Sequence, residues 1–274
     1  VIFPEIEVHV LQHSIPDRHK IREWARSFPG CEDHELPDMT DIEAVPTYAA
    51  KRCYLSFEAG GANPNVTKVR HDLAKFWENI LTSKHGSVLE HSSWTFAIEN
   101  VTRVFTGELN RHRAGCAISE GSMRFIRPHK GRGVPFWMPL SIRGNKEDDP
   151  ELAAKKHRTR QIISSTVLAT IEEAYCELVE LWGLDDEDAD FDYKKKLTSM
   201  LRRILPMGTC TGGVWTFNVR ALRHIITMRS SPAAEEEIAY VFGLIGKRMH
   251  ETEPNLFGDF ALVDGFWVPR HEKV

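Results

Sequence analysis

Within fourteen residues, Arg111 to Arg124, the chain carries three arginines, a histidine, a glutamate, two serines and two glycines. A core segment could not hold that density, because each buried guanidinium would need a compensating partner. Arginine forks and a hydroxyl beside glycine suit an anionic, planar, hydrogen-bonding ligand; a nucleotide phosphate or a flavin fits. Two further groups share this character. Glu90-His91 stand just before an apolar alternation, and Arg202 precedes Pro206 by four residues, with Asn218, Arg220, His224 and Arg229 following. On a helix of about 3.6 residues per turn, Asn218 and Arg229 lie nearly in line on one face. Taken singly, such a line reads as a solvated face, Arg111 and Arg113 as surface ion-pair partners, and His91 as a structural histidine.

The elements that must position these groups can be sketched from periodicity. Glu7 to Leu11 alternates and reads as an opening strand, whereas residues 14–45 have no firm period and read as an extension. Pro46 opens a helix over Thr47–Phe57, and a second helix carries Val69, Leu73, Phe76, Trp77, Ile80 and Leu81 at three- and four-residue spacing. Trp94, Phe96 and Ile98 alternate as a strand, and Asn100 can cap a helix from Val101 that delivers Arg111. Ile118 to Ile126 reads as a strand and residues 129–150 as a loop. Further helices are expected over 151–182, Lys194–Ile204, Thr216–Arg229 and Ala233–His250, with an acidic connection at 184–190.

Helices and strands without regular alternation favour an α+β class: one domain with a central mixed or antiparallel sheet flanked by long helices. Residues 1–45 are expected as an N-terminal strand and extension, 46–260 as the main domain and 261–274 as a tail. A net charge of -4 at 274 residues argues against nucleic acid as a partner, since a general binder carries a broad basic surface. No apolar run reaches the length of a membrane span, and no signal pattern opens the chain, which begins on Val1 rather than Met, so a start further upstream is expected. The five cysteines are odd in number and never paired as CxxC, which predicts a reducing cytoplasm and no zinc site. Cys53 and Cys176 are expected in the core, and Cys116 is the one near the charged stretch. His9, His13, His34 and His271 show no metal-ligand spacing, and no metal is expected.

Arg111-His112-Arg113 followed by Glu120, Ser122 and Arg124 resembles the signature of the flavin-dependent thymidylate synthases. Leu89-Glu90-His91 resembles that family's strand entry, and Ala49-Ala50-Lys51-Arg52-Cys53-Tyr54 its early helix. Leu205-Pro206, Trp215-Thr216-Phe217-Asn218-Val219-Arg220 and Arg229 followed by Ala234 and Glu237-Ile238 are similar to its C-terminal pattern. The segments come in order over most of residues 46–257.

The resemblance implies an α+β fold, a cytoplasmic homotetramer with shared active sites, and reductive methylation of dUMP to dTMP. The carbon would come from 5,10-methylenetetrahydrofolate and the hydride from NADPH through FAD. His91, Ser93, Arg111, His112, Arg113 and Glu120 would hold FAD, together with Asn218, Arg220 and His224. Glu108, Leu109, Asn110 and Arg111 would hold the nucleotide with Glu120, Gly121, Ser122, Met123, Arg124 and Arg202. Arg229 would face the pyrimidine as the catalytic residue. Three positions depart from the family pattern. Eight residues rather than seven separate Arg113 from Ser122, Glu108 replaces a glutamine, and Ser119 replaces an asparagine. A carboxylate at 108 removes a donor and adds charge. UMP or another uracil nucleotide on the same scaffold is therefore the alternative substrate, and a non-catalytic nucleotide- or anion-binding relative is the second alternative.

Overall fold

The opening alternation forms β1 (Glu7–His13). The structure, a computed structural model, describes residues 2–128, 133–272 and 274. The stretch after β1, expected to be irregular, contains α1 (Arg18–Arg26), capped by the Asp17 carboxylate. Ala25 is buried in this helix, and Ile21 and the following Phe28 pack against the core beside it, a short apolar face on an otherwise charged helix.

α2 (Asp41–Tyr54) starts ahead of the expected Pro46. Glu43 accepts from the Thr40 N–H at 2.8 Å, and Pro46 falls within the helix. The boundary expected after residue 45 therefore lies inside α2. Ile6, Ala25, Cys31 and Ile42 share one core with Phe96 and Trp215, so the N-terminal arm belongs to the domain. Cys53, expected in the core, is exposed.

α3 (Leu73–Thr82) begins at an Asp72 cap rather than near Val69. A tight turn, Gly86–His91, then leads into β2 (Ser93–Thr102). Asn100, expected as a helix cap, instead sits at a bulge in β2 with φ of 62° and donates to the Glu5 carbonyl. Thr102 caps α4 (Arg103–Leu109), its Oγ accepting from the N–H groups of Val104 and Phe105. β3 (Cys116–Glu120) is shorter than the expected 118–126, because Phe125 and Ile126 turn back onto the Ser122 carbonyl. Within the loop expected over 129–150, residues 129–132 lie outside the described ones. α5 (Pro150–Gln161) continues through a wide π turn, Ile162–Leu168, into α6 (Ala169–Leu181), as the long helical pattern predicts. α7 (Phe191–Leu201) follows, ending in a short turn at Arg202–Ile204.

The largest difference from expectation is β4 (Cys210–Asn218). Thr216, Phe217 and Asn218, read as the start of a helix, end this strand. Val214 to Phe217 are β-branched or aromatic, and pairing with β2 on one side and β3 on the other decides their state. α8 (Val219–Arg229) then starts at Asn218, whose Oδ1 accepts from the Ala221 N–H at 2.8 Å. α9 (Glu236–Thr252) and α10 (Pro254–Phe257) lead to a hairpin of β5 (Phe260–Val263) and β6 (Phe266–Pro269). The tail boundary at 260/261 thus falls inside β5, and Trp267 is buried with its Nε1 donating to the Gly243 carbonyl.

The main sheet runs β1-β2-β4-β3 and is antiparallel throughout, which gives an α+β fold. Trp94, Phe96, Ile98, Trp215 and Phe217 form its buried side, and the rings of Phe217 and Phe242 in α9 lie 6.3 Å apart. A smaller cluster of Tyr175, Leu184, Leu197 and Leu201 holds α6 to α7. No helix among the described residues is long and apolar enough to cross a membrane.

Candidate active site

α8 carries most of the C-terminal polar group, and its last residue is Arg229. Arg229 Nε donates to His112 Nε2 at 2.9 Å, Nη1 to the Glu108 carboxylate at 2.6 Å, and Nη2 to the Glu108 carbonyl at 3.2 Å. The His112 and His224 rings meet edge to face at 5.8 Å. Burial, then the charges of Arg229 and His224, push the His112 imidazole down to about 4, against a weaker opposing pull from Glu108. His112 is therefore neutral at pH 7, and a neutral ring is what can accept from Arg229.

The N-terminal end of α8 meets the other expected cofactor residues. Ser93, the first residue of β2, pairs with Asn218 across the sheet. Asn218 N–H donates to the Gly115 carbonyl, and Gly115 has φ of 71°, so close to the Asn218 amide that a Cβ would sit 2.5 Å from Nδ2. Arg220 binds Glu90 at 2.6 Å, and His91 is exposed beside it in sequence at the end of the Gly86–His91 turn. Arg220 also borders a cavity of about 760 Å³ shared with Tyr54, Lys68, Arg70, Lys84 and His85. Arg111 and Arg113 are exposed and have no ion-pair partner among the described residues.

A second concavity, of about 430 Å³, opens along α4 and is bounded by Arg103, Gly107, Asn110, Glu120, Met123 and Arg202. Glu120 is ion-paired with Arg103 and accepts from Asn110 Nδ2 at 2.9 Å; Trp215 Nε1 donates to Asn110 Oδ1 at 3.2 Å. β3 pairs residue by residue with β4 without a bulge. The Arg-His-Arg end and the Glu120 end of the fourteen-residue stretch accordingly sit at opposite ends of β3.

Not every expected residue joins these groups. Leu109 is 1% exposed in the core, so only its backbone is open to a ligand. Gly121 packs against Thr211 and Gly212, Ser122 and Arg124 follow in an exposed turn, and no hydrogen bond or ion pair links them to Arg229, His112 or Glu108. Burial pushes the Cys116 thiol up to about 11, which leaves it protonated and a poor nucleophile. Sequence reading missed Arg103, although Arg103, Gly107 and Asn110 share one helical face. It placed Glu237 in the C-terminal pattern without a role; Glu237 is 1% exposed and accepts from the Thr102 N–H at 2.7 Å, fixing the cap of α4 from a site 135 residues away. Among the described residues, no group of three or more His, Cys, Asp or Glu is placed to hold a metal.

Comparison with known proteins gives a consistent picture. The family model described as thymidylate synthase complementing protein matches residues 35–255. A flavin-dependent thymidylate synthase of Mycobacteroides abscessus is 32% identical over 236 residues, covering 82% of this chain and 85% of that protein. A probable flavin-dependent thymidylate synthase of Mycobacterium phage D29 is 32% identical over 221 residues, covering 81% and 84%. Among solved structures, the UMP/dUMP methylase PolB of Streptomyces cacaoi, bound with 5-Br dUMP, superposes with a TM-score of 0.59 at 19% identity, over 94% of this chain and 95% of that one. Thymidylate synthase X of Helicobacter pylori, with FAD and dUMP, gives 0.56 at 16% identity over 93% and 98%.

Proposed function

The chain belongs to the flavin-dependent thymidylate synthase family and is an enzyme of that kind, and from this membership we propose that it converts dUMP to dTMP by reductive methylation. The carbon unit would come from 5,10-methylenetetrahydrofolate and the reducing equivalents from NADPH, with FAD as the redox cofactor. The observation that carries this reading is the joint made by Arg229, His112 and Glu108, which ties the end of α8 to the end of α4 beside the basic motif.

The residues present fit FAD. Arg111 and Arg113 are exposed cations without partners among the described residues, and the cavity along Arg220 is lined by basic side chains and the Tyr54 and His85 rings. Such a set suits a pyrophosphate with planar groups at its ends. His91, Ser93, Arg111, His112 and Arg113 would hold it from one side and Asn218, Arg220 and His224 from α8. When bound, FAD supplies the redox chemistry, and the protein supplies position and charge.

Arg202, Asn110, Glu120 and the run to Arg124 hold the nucleotide, with Ser122 as a contact rather than a nucleophile. Arg229 stabilises negative charge at the pyrimidine N3 and its neighbouring carbonyl, which helps C5 attack. Neutral His112 orients the guanidinium by accepting from Nε. A homotetramer is supported by the apolar side chains left exposed along α5, α6 and the turn between them, including Leu152, Ile162, Val167 and Leu181, which a second copy would cover. Five free cysteines suit a reducing cytoplasm.

A second reading, UMP as substrate, is favoured by one feature: residue 108 is a carboxylate where the family carries glutamine, which removes a donor and adds charge beside the nucleotide. The experiment is direct. FAD-loaded protein is given methylenetetrahydrofolate, NADPH and either dUMP or UMP, and the products are resolved by mass spectrometry. dTMP supports the first reading and methylated UMP the second, while unchanged nucleotide in both reactions overturns both.

A further inference from the structure

We propose that Glu108 acts through Arg229 as a carboxylate latch, one that an incoming uracil nucleotide must release. The proposal rests on the nucleotide reading above and names a determinant of affinity within that site.

Both outer nitrogens of the Arg229 guanidinium are engaged by a single residue, Nη1 by the Glu108 carboxylate and Nη2 by the Glu108 carbonyl. The third bond, from Nε, goes to a neutral imidazole and cancels no charge. Glu108 is thus the anion that neutralises Arg229, in a setting where both side chains are screened from water to different degrees: 16% of Arg229 and 33% of Glu108 are exposed. A pyrimidine carbonyl or an ionised N3 needs the same N–H donors. It therefore competes with a carboxylate already held at 2.6 Å.

The latch is not needed to keep Arg229 in place. Arg229 ends α8, where the carbonyl-rich end of a helix favours a cation, and His112 fixes the Nε side. The Glu108 carbonyl is a main-chain group and stays when the side chain changes. A glutamine at 108 would keep an acceptor for Nη1 while removing the charge. Position 108 also stands next to Gly107, which lines the cavity of about 430 Å³ together with Arg202 and Met123, and Gly107 has open space around its missing side chain.

The variants Glu108→Gln and Glu108→Asp in the full FAD-loaded chain test this, with dUMP and UMP as the probes in both equilibrium binding and steady-state turnover. Exchange of a charged for a neutral acceptor predicts about a tenfold lower Kd and KM for the nucleotide in Glu108→Gln, with kcat changed less than about threefold. Glu108→Asp keeps the charge on a shorter side chain, so its KM should fall between those of the wild type and Glu108→Gln. An unchanged or raised KM in Glu108→Gln, while the wild type binds and turns over normally, overturns the latch and leaves the nucleotide reading standing. If neither nucleotide binds to any of the three proteins, both fail. Loss of folding in Glu108→Gln would show the pair to be structural and overturn the latch, with Glu108→Asp distinguishing loss of charge from loss of packing.

Discussion

Replacing Asp259 by asparagine should lower stability more than any substitution in the exposed polar stretches, although Asp259 touches none of the residues assigned to ligands. Asp259 faces Arg223 with two parallel bonds, Nη1 to Oδ1 at 2.7 Å and Nη2 to Oδ2 at 2.9 Å, and the side chains are 4% and 2% exposed. Arg223 also donates to the Leu256 carbonyl and lies over the Phe260 ring at 4.8 Å, so the pair fastens α8 to the C-terminal hairpin. Burial pushes the Asp259 carboxyl up, but the hydrogen bonds and charge of Arg223 outweigh it and hold the group below the ordinary carboxylate range. Removing one partner of such a pair strands a buried charge, at a cost of about 3–5 kcal/mol. For a chain of this size that corresponds to a fall in Tm of roughly 5–9 °C. Thermal unfolding followed by circular dichroism at pH 7.5 measures it. The sign with pH is set by the lowered carboxyl: the pair's contribution is present above the ordinary aspartate range and is lost as pH falls through the folded value. The gap between wild type and variant should therefore close in strong acid. A Tm drop below about 3 °C, or a gap that does not change with pH, would refute the reasoning.

Three other outcomes follow from the site and its supports. Arg229→Ala should retain FAD, judged by flavin absorbance, yet lose about a hundredfold or more in methyl transfer, because it removes the charge facing the pyrimidine; wild-type turnover would remove Arg229 from the mechanism. Gly115→Ala must strain a left-handed residue and push on the Asn218 cap, so a loss of about 2–3 kcal/mol in urea unfolding is expected, together with weaker FAD uptake. Burial pushes the Glu237 carboxyl up to about 7 from its ordinary 4.5. The folded protein then binds more protons between those values, so wild-type stability falls as pH rises through that window. Glu237→Gln lacks that slope, and the stability difference should move in its favour by up to about 3 kcal/mol between pH 4.5 and 8; a difference constant with pH would contradict the assignment.

Local pattern made much of this molecule legible. The apolar face of α3, the helical state of α9 and of the α5–α6 run, the alternation of β2, and the order of the motif segments read correctly because each depends on residues near in sequence; the apolar positions Ile162 and Leu181 of that run are exposed in the fold. β4 did not, since two glycines open its centre and its extended state comes from partners on both edges, one of them more than a hundred residues upstream. The tail hairpin was hidden for a related reason: Trp267 is buried by α9, not by anything adjacent to it in the chain. Asn218 was expected in a cofactor site but set within a helix rather than at its cap. Its true place, where β4 becomes α8, is what brings it against Gly115. The contact between Glu108 and Arg229 spans 121 residues, and only the folded chain reveals that the departure at 108 and the arginine expected at the pyrimidine are one unit.

The central claim is methyl transfer to a uracil nucleotide by a flavin-loaded protein, and a single-turnover measurement tests it. FAD-bound protein, reduced with NADPH and mixed with carbon-labelled methylenetetrahydrofolate and dUMP, should place the label in dTMP. Flavin-loaded, reduced protein that binds dUMP and leaves it unlabelled would contradict the account.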